Sequence, residues 1–356
     1  MNKINLFYAK TNFRFNSTRR FALYRKLSSL LQNNFTLMDA LQRIYDIESA
    51  GGKKPDEPFA MAVRDWSNGL ESGKSFADAV ADWVPLNEVL MLTLGDVSKL
   101  SVALENLVRV GIGGAKIKSS LLGAAAYPLF LLAMTIGIII MVGIYLVPPL
   151  TEAAGGDIAW RGIAKTLVGV SNFAKDYWPY FTGFILIAIG IIWLSLANWS
   201  GRLRARFDNL PPWNVYKISV SAGWLMSLAA IVESGGNLTD AVKLLANHSS
   251  PYLRNILFQT YQYLTNGDNL GKSLAKTGAN FPNSDIIGDL EIYADMTDFD
   301  KNLSGIANTY LDDAVRRMTN ISSSMNSIGI LLVSVVIGWV VFGTFEMQEQ
   351  ITSALG

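Results

Sequence analysis

Apolar residues recur along this chain on two scales. In three runs they are nearly continuous, at about 121–147, 180–197 and 328–345, and no charged side chain falls inside any of them. A helix needs roughly 20 apolar residues to cross the hydrocarbon core of a bilayer, so the runs predict three transmembrane helices. The second run is bounded by Trp178, Tyr180 and Trp199, aromatic residues suited to the headgroup region. Elsewhere apolar positions return every three or four residues, as in Phe21, Tyr24, Leu27, Leu30 and Leu31. That spacing is helical, and no stretch sustains the alternation of a strand. The expected class is an all-α membrane protein with two repeated helical-bundle modules and three transmembrane helices.

The soluble segments are written twice. Leu31 to Leu41 is answered position by position by Val232 to Val242, so that Asn34 pairs with Gly235, Thr36 with Asn237 and Asp39 with Asp240. Further on Gly73 pairs with Gly267, Ser75 with Asn269, and Gly95-Asp96-Val-Ser98 with Ala294-Asp295-Met-Thr297. An internal repeat constrains a fold more than a single motif does. Glycine and asparagine tolerate the left-handed conformation that ends a helix. Thr36 and Asn237 are good N-caps, and the aspartates three residues later complete a capping box in which Asp replaces Glu. Pro85 and Pro282 break the chain before a fifth helix, and a sixth, from about Ser98, runs on through Lys118 towards the first span.

The layout that follows is a flexible N-terminal arm at 1–18, a first module at 19–118 and a first span at 121–147. A loop at 148–179 leads to a second span at 180–197. A second module at 202–320, a third span at 328–345 and a tail at 346–356 complete the chain.

Basic residues set the orientation, because cytoplasmic flanks are enriched in Lys and Arg. Lys116 and Lys118 precede the first span, Arg202, Arg204 and Arg206 follow the second, and Arg316 and Arg317 precede the third. Between the first two spans Arg161, Lys165 and Lys175 are balanced by Glu152, Asp157 and Asp176, and the tail has two glutamates and no basic residue. Both modules and the N-terminus are therefore expected in the cytoplasm, with the loop and the C-terminus outside. The first twenty residues lack the apolar run of a secretory signal peptide.

Composition narrows the chemistry. Half of the 356 residues are apolar, only 17% are charged and the net charge is +1, which offers no basic field for nucleic acid. There is no cysteine, hence no disulfide or thiolate site, and the single histidine, His248, sits at a helix end. The carboxylates are spread along polar helix faces, with no isolated pair for acid–base work. Two Gly-Lys-Ser triplets, Gly73-Lys74-Ser75 and Gly271-Lys272-Ser273, superficially suggest a P-loop. The preceding glycines, Gly69 and Gly267, stand one residue too close and no strand precedes them, so helix caps are the better reading. Asp96 and Asp295, each two residues before a hydroxyl, are either caps of the next helix or oxygen ligands to a Ca²⁺ or Mg²⁺ shared with a neighbouring chain. Spans without charged residues argue against a solute pathway, and Gly137 and Gly143 fit close helix packing within an oligomer.

These residues resemble a known family. Ala124-Ala-Ala-Tyr127-Pro128 opens the first span and Val147-Pro148 closes it, while Ile231-Val-Glu-Ser-Gly235 and Leu94-Gly95-Asp96-Val-Ser98 lie in the modules. Over roughly residues 19–345 the chain is similar to the inner-membrane platform proteins of type IV pilus and type II secretion machines, the GspF/PilC family. The resemblance implies a non-enzymatic adaptor without cofactor, embedded in the bacterial inner membrane, with a cytoplasmic hexameric assembly ATPase, pilins or prepilins and other inner-membrane machine components as partners. A homo-oligomer is expected. It also carries a family metal site onto Asp96 and Asp295, although the family commonly has glutamate there. Lys99 and Asp298 replace a second glycine, and Ser324-Met-Asn326 stands where a glutamate–proline pair is common. Such drift, with the compact length, looks like the type IVb branch, including conjugative thin pili. The expected alternatives are a type II secretion platform driving a pseudopilus and, from another class, a small-solute permease.

Overall fold

The computed structural model describes residues 3–94, 99–155, 159–294, 296 and 298–355, and among them every regular element is a helix. The first module comprises α1 (Lys3–Phe15), α2 (Ser17–Gln32), α3 (Leu37–Glu48), α4 (Pro58–Glu71), α5 (Phe76–Val80) and α6 (Leu86–Leu94). Then come α7 (Leu100–Met141), a π-turn at Val142–Leu146, α8 (Val147–Ala153) and α9 (Gly162–Asn198). The second module holds α10 (Arg202–Phe207), α11 (Trp213–Glu233), α12 (Leu238–Asn247), α13 (Pro251–Thr265), α14 (Leu270–Lys276) and α15 (Ser284–Tyr293). α16 (Phe299–Leu355) closes the chain.

The residues divide into two compact units. One joins Met1–Lys118 with Leu196–Val315, so both copies of the repeat pack into a single body; the other joins Ser119–Ser195 with Arg316–Gly356.

In the first unit the expected flexible arm is a helix. Phe13 of α1 is fully buried, 4.6 Å from the Phe59 ring, 5.4 Å from Trp66 and 5.9 Å from Trp83. Burying an aromatic ring of this size outweighs the entropy that would otherwise leave a terminus loose. Arg20, buried at the start of α2, ties this helix down. Its Nη1 donates to the carbonyls of Phe13 and Arg14, at 2.8 and 2.7 Å, satisfying the end of α1. Its Nε and Nη2 meet the buried Glu88 of α6, which also accepts from the Tyr24 hydroxyl at 2.7 Å. Each partner of this buried ion pair is hydrogen-bonded, the condition under which burying charge is tolerable.

Among the described residues four helices are long and apolar enough to cross a membrane. α11 differs from the others because 56% of its apolar window is buried inside the protein, against none of the window in α9. Ala222, Leu225, Leu228 and Ile231 of α11 form the core of the second module. By contrast Leu129 and Phe130 of α7, Phe184 and Ile187 of α9, and Leu331, Val335 and Phe342 of α16 are exposed. Apolar surface of this extent suits lipid or another apolar chain and is unsuited to water.

The second unit has more helix between its apolar segments than expected. The segment 148–179, expected as a loop, contains α8 and the first half of α9, and the described part of the tail, 346–355, continues α16. The π-turn has a local cause. Pro148 and Pro149 lack amide protons and their rings crowd the preceding turn. The helix widens there, the Val147 amide bonding back to the Val142 carbonyl. Ser171 of α9 donates to the Gly143 carbonyl at 2.6 Å. Val142, Val147, Ala164, Leu167 and Met347 pack together around this bend.

Candidate functional site

The paired positions of the repeat build matching helix junctions. Asn34, Gly73, Gly235 and Gly267 all have positive φ, at 62°, 84°, 89° and 95°. At each, the amide bonds back to a carbonyl three residues earlier and the next amide to one five residues earlier, as in Gly235 to Val232 and Gly236 to Ile231, both 2.9 Å. Four hydrogen-bonded helix ends of the left-handed type result. Thr36, Ser75, Asn237 and Asn269 then cap the following helices, each accepting from an amide in the first turn. The capping box is modified: the Asp39 carboxylate accepts from the Thr36 hydroxyl at 2.7 Å, as Asp78 does from Ser75 at 2.6 Å. Aspartate is one methylene shorter than the usual glutamate, and here it bonds the capping hydroxyl.

The Gly-Lys-Ser triplets are thereby accounted for. Gly73 closes α4 and Ser75 opens α5, whereas Gly271 lies inside α14. A Cβ at Gly271 would run into the backbone of Glu291, so this glycine lets α14 and α15 touch. His248 ends α12 with its Nδ1 3.0 Å from the Leu244 carbonyl.

Of the residues singled out in the sequence, Gly95, Asp96 and Asp295 lie outside the described residues. Among those described, no group of three or more His, Asp or Glu could hold a metal ion. Tyr127 and Pro128 lie within α7, where Tyr127 is exposed; Pro148 opens α8 beneath the π-turn.

Sequence reasoning missed the polar clasp between the modules. Arg109 of α7 donates to Glu233 of α11 at 2.9 Å, and Ser304 of α16 donates to the same carboxylate oxygen at 2.6 Å. Asn106, fully buried, donates to Ser234 Oγ at 3.2 Å and to the Ala230 carbonyl at 3.3 Å. Lys116 and Asp312 extend the contact with an ion pair at 2.6 Å. The only sequence signal was that Glu233 and Ser234 lie in the repeated motif that ends at Gly235. In the second unit an apolar groove of about 210 Å³ is lined by Ile136, Ile140, Val170, Phe173 and Phe181. Taken together, these features bind helices to helices and offer apolar surface.

The family model described as type II secretion system protein F matches the chain twice, at residues 23–148 and 224–345. The chain belongs to this family. Each match takes in one copy of the repeat and the apolar helix that follows it. Relatives include the toxin coregulated pilus biosynthesis protein E of Vibrio cholerae, 21% identical over 339 residues, which cover 94% of this chain and 98% of that protein. Another is the type IV pilus assembly protein PilC of Pseudomonas aeruginosa, 24% identical over 337 residues, 90% of this chain and 88% of that protein. Both are pilus biogenesis proteins, and both align along nearly their full length.

Proposed function

We propose that this chain is the inner-membrane platform of a type IV pilus assembly machine. It couples a cytoplasmic assembly ATPase to the insertion of pilin subunits into the growing fibre and performs no chemistry itself. The observation that carries this reading is the twofold family match together with near-full-length similarity to two pilus biogenesis proteins. The architecture supports it. α7 and α16 each contribute residues to both compact units, the polar one that holds the repeated modules and the apolar one. In this reading the polar unit is cytoplasmic and meets the motor, the exposed faces of α7, α9 and α16 meet lipid, pilin or a second copy of the chain, and the C-terminus is periplasmic.

Deleting the gene should abolish surface pili, and a copy on a plasmid should restore them. Affinity purification should recover the assembly ATPase with the polar unit. Normal piliation in the deletion strain, with loss of secreted enzymes instead, would identify a type II secretion platform. Solute flux in proteoliposomes holding only this protein would identify a permease. Reporter fusions after Ala246 should be active only in the cytoplasm and fusions after Gly155 only in the periplasm; activity on one side for both would overturn the topology.

A further inference from the structure

Directly after α9 the chain turns through Trp199 and Gly201 into α10, and a cavity of about 380 Å³ opens there. Arg204, Asp208, Tyr252, Asn255, Gln259 and Thr277 are among its walls. Arg204 is 1% exposed, and its Nε, Nη1 and Nη2 have no hydrogen-bond partner among the described residues. Asp208 Oδ1 lies 3.1 Å from Nε but is not aligned to accept from it. The other Asp208 oxygen accepts from the Tyr252 hydroxyl at 3.0 Å, and the guanidinium sits over the Tyr252 ring, 4.8 Å from its centroid.

The charges do not balance. Lys217 of α11 is also buried and feels both Arg204 and Asp208, so two cations share one carboxylate. Burial holds Arg204 and Lys217 below their ordinary pKa and Asp208 above its own. A guanidinium presents five N–H donors in a planar fork that matches carboxylate and phosphate oxygens. Leaving those donors unmet in a buried site is costly, and Arg20 in the first module, with every nitrogen partnered, shows how this chain satisfies an arginine that is purely structural.

We propose that this cavity binds a phosphate-bearing anion, with Arg204 as its principal ligand. Each guanidinium nitrogen is fully buried, so the Arg204 side chain turns towards the cavity to meet the anion, which supplies the missing negative charge and accepts the free N–H groups. An anionic phospholipid headgroup and a soluble phosphate share this chemistry, and the setting favours the lipid. Arg204 follows closely on the apolar helix α9. Trp199, Phe207 and Trp213 cluster beside it, with ring centroids 5.2 Å apart for Trp199–Phe207 and for Phe207–Trp213, as aromatic residues do at headgroup level. The lipid source rests on α9 crossing the membrane; binding of free phosphate does not.

The test uses full-length protein in a neutral detergent. Native mass spectrometry would compare adducts of phosphatidylglycerol and phosphatidylcholine, and thermal unfolding would be followed with and without inorganic phosphate. Wild type should retain phosphatidylglycerol about tenfold better than phosphatidylcholine, the equivalent of one charge-assisted hydrogen bond, and Arg204→Gln should lose that preference. Arg204-dependent stabilisation by inorganic phosphate, without lipid preference, would keep the anion site and assign it a soluble source. Should Arg204→Gln not fold, Asn255→Asp at the exposed rim places a repelling charge without disturbing the core, and should lower the same ratio or the same stabilisation. Neither lipid preference nor phosphate stabilisation in the wild type, or equal values in the variants, would leave Arg204 and Asp208 as a structural pair and overturn the proposal.

Discussion

Arg109 donates to Glu233 at 2.9 Å across 124 residues of chain, and it does so at the last residue of α11. The first copy has Gln32 at the place of Glu233 and Glu105 at the place of Ser304. There the Gln32 amide donates to the Glu105 carboxylate at 3.2 Å, whereas in the second copy the Ser304 hydroxyl donates to the Glu233 carboxylate at 2.6 Å. The same two helices are joined in each half, with acid and donor exchanged. Arg109 then adds a bond from one half to the other.

Removing the Glu233 carboxylate should therefore loosen both α7 and α16. Arg109 and Glu233 are each partly exposed, with side chains 36% and 24% accessible, so their mutual coupling should be modest, about 1 kcal/mol. Glu233→Ala should cost more, about 1–3 kcal/mol, because it leaves the Ser304 hydroxyl and Arg109 without an acceptor together. Thermal unfolding of Arg109→Ala, Glu233→Ala and the double variant gives the cycle. Strictly additive effects would mean that the clasp contributes no coupling.

The helix α1 makes a sharper claim. Phe13 is fully buried against Phe59, Trp66 and Trp83, so Phe13→Ala should destabilise the first module by about 3–5 kcal/mol. Truncating residues 1–15 should expose Trp66 and Trp83 and shift tryptophan emission to the red. A truncated protein with unchanged emission and unfolding temperature would restore the flexible arm.

Much of this fold was legible because it is specified locally. Helix ends need a residue tolerant of positive φ and helix starts need a side-chain acceptor, so Asn34, Thr36, Gly235 and Asn237 announce themselves in the sequence. The long apolar runs do the same. What was not legible depends on distant partners. Leu6, Ala9 and Phe13 do keep helical spacing, but their signal is diluted by polar neighbours and gains meaning only from the tryptophans of α4 and the segment after α5. α11 is long and apolar enough to be a candidate span, but its mean hydropathy of 1.5 is below the 2.1–2.7 of the other candidates, and its burial agrees with its place in the second module. At Arg204 the sequence showed a positive charge near a span; that its nitrogens are buried and unmet is a property of the packing alone.

Gly271 separates the two readings of the Gly-Lys-Ser triplet. A methyl group there would meet the Glu291 backbone, so Gly271→Ala should cost about 1–3 kcal/mol by overpacking the contact of α14 with α15. Lys272→Ala, on the same helix, should be nearly silent. Wild type should bind no ATP in equilibrium dialysis. ATP retention abolished by Lys272→Ala would return a nucleotide site to this segment.

Glu346 offers a comparable test in the second unit. Its carboxylate accepts from the amides of Ile163 and Ala164 at 2.7 and 3.1 Å, at the start of α9, while Gln350 exchanges hydrogen bonds with both backbone groups of Arg161. Gly162, with φ of +59°, lets the chain turn tightly past this carboxylate. α16 thus supplies, from a distant part of the same chain, the cap that α9 lacks in its own first turn, and a negative charge at a helix N-terminus is favoured by the helix dipole as well. Glu346→Ala should lower stability by about 1–2 kcal/mol. Glu346→Gln keeps an acceptor but not the charge and should fall between it and wild type. Unfolding temperatures measured in one detergent at low ionic strength would check the order, and added salt should narrow the gap between Gln and wild type. If alanine and glutamine variants unfold together at the wild-type temperature, α9 begins without help from α16.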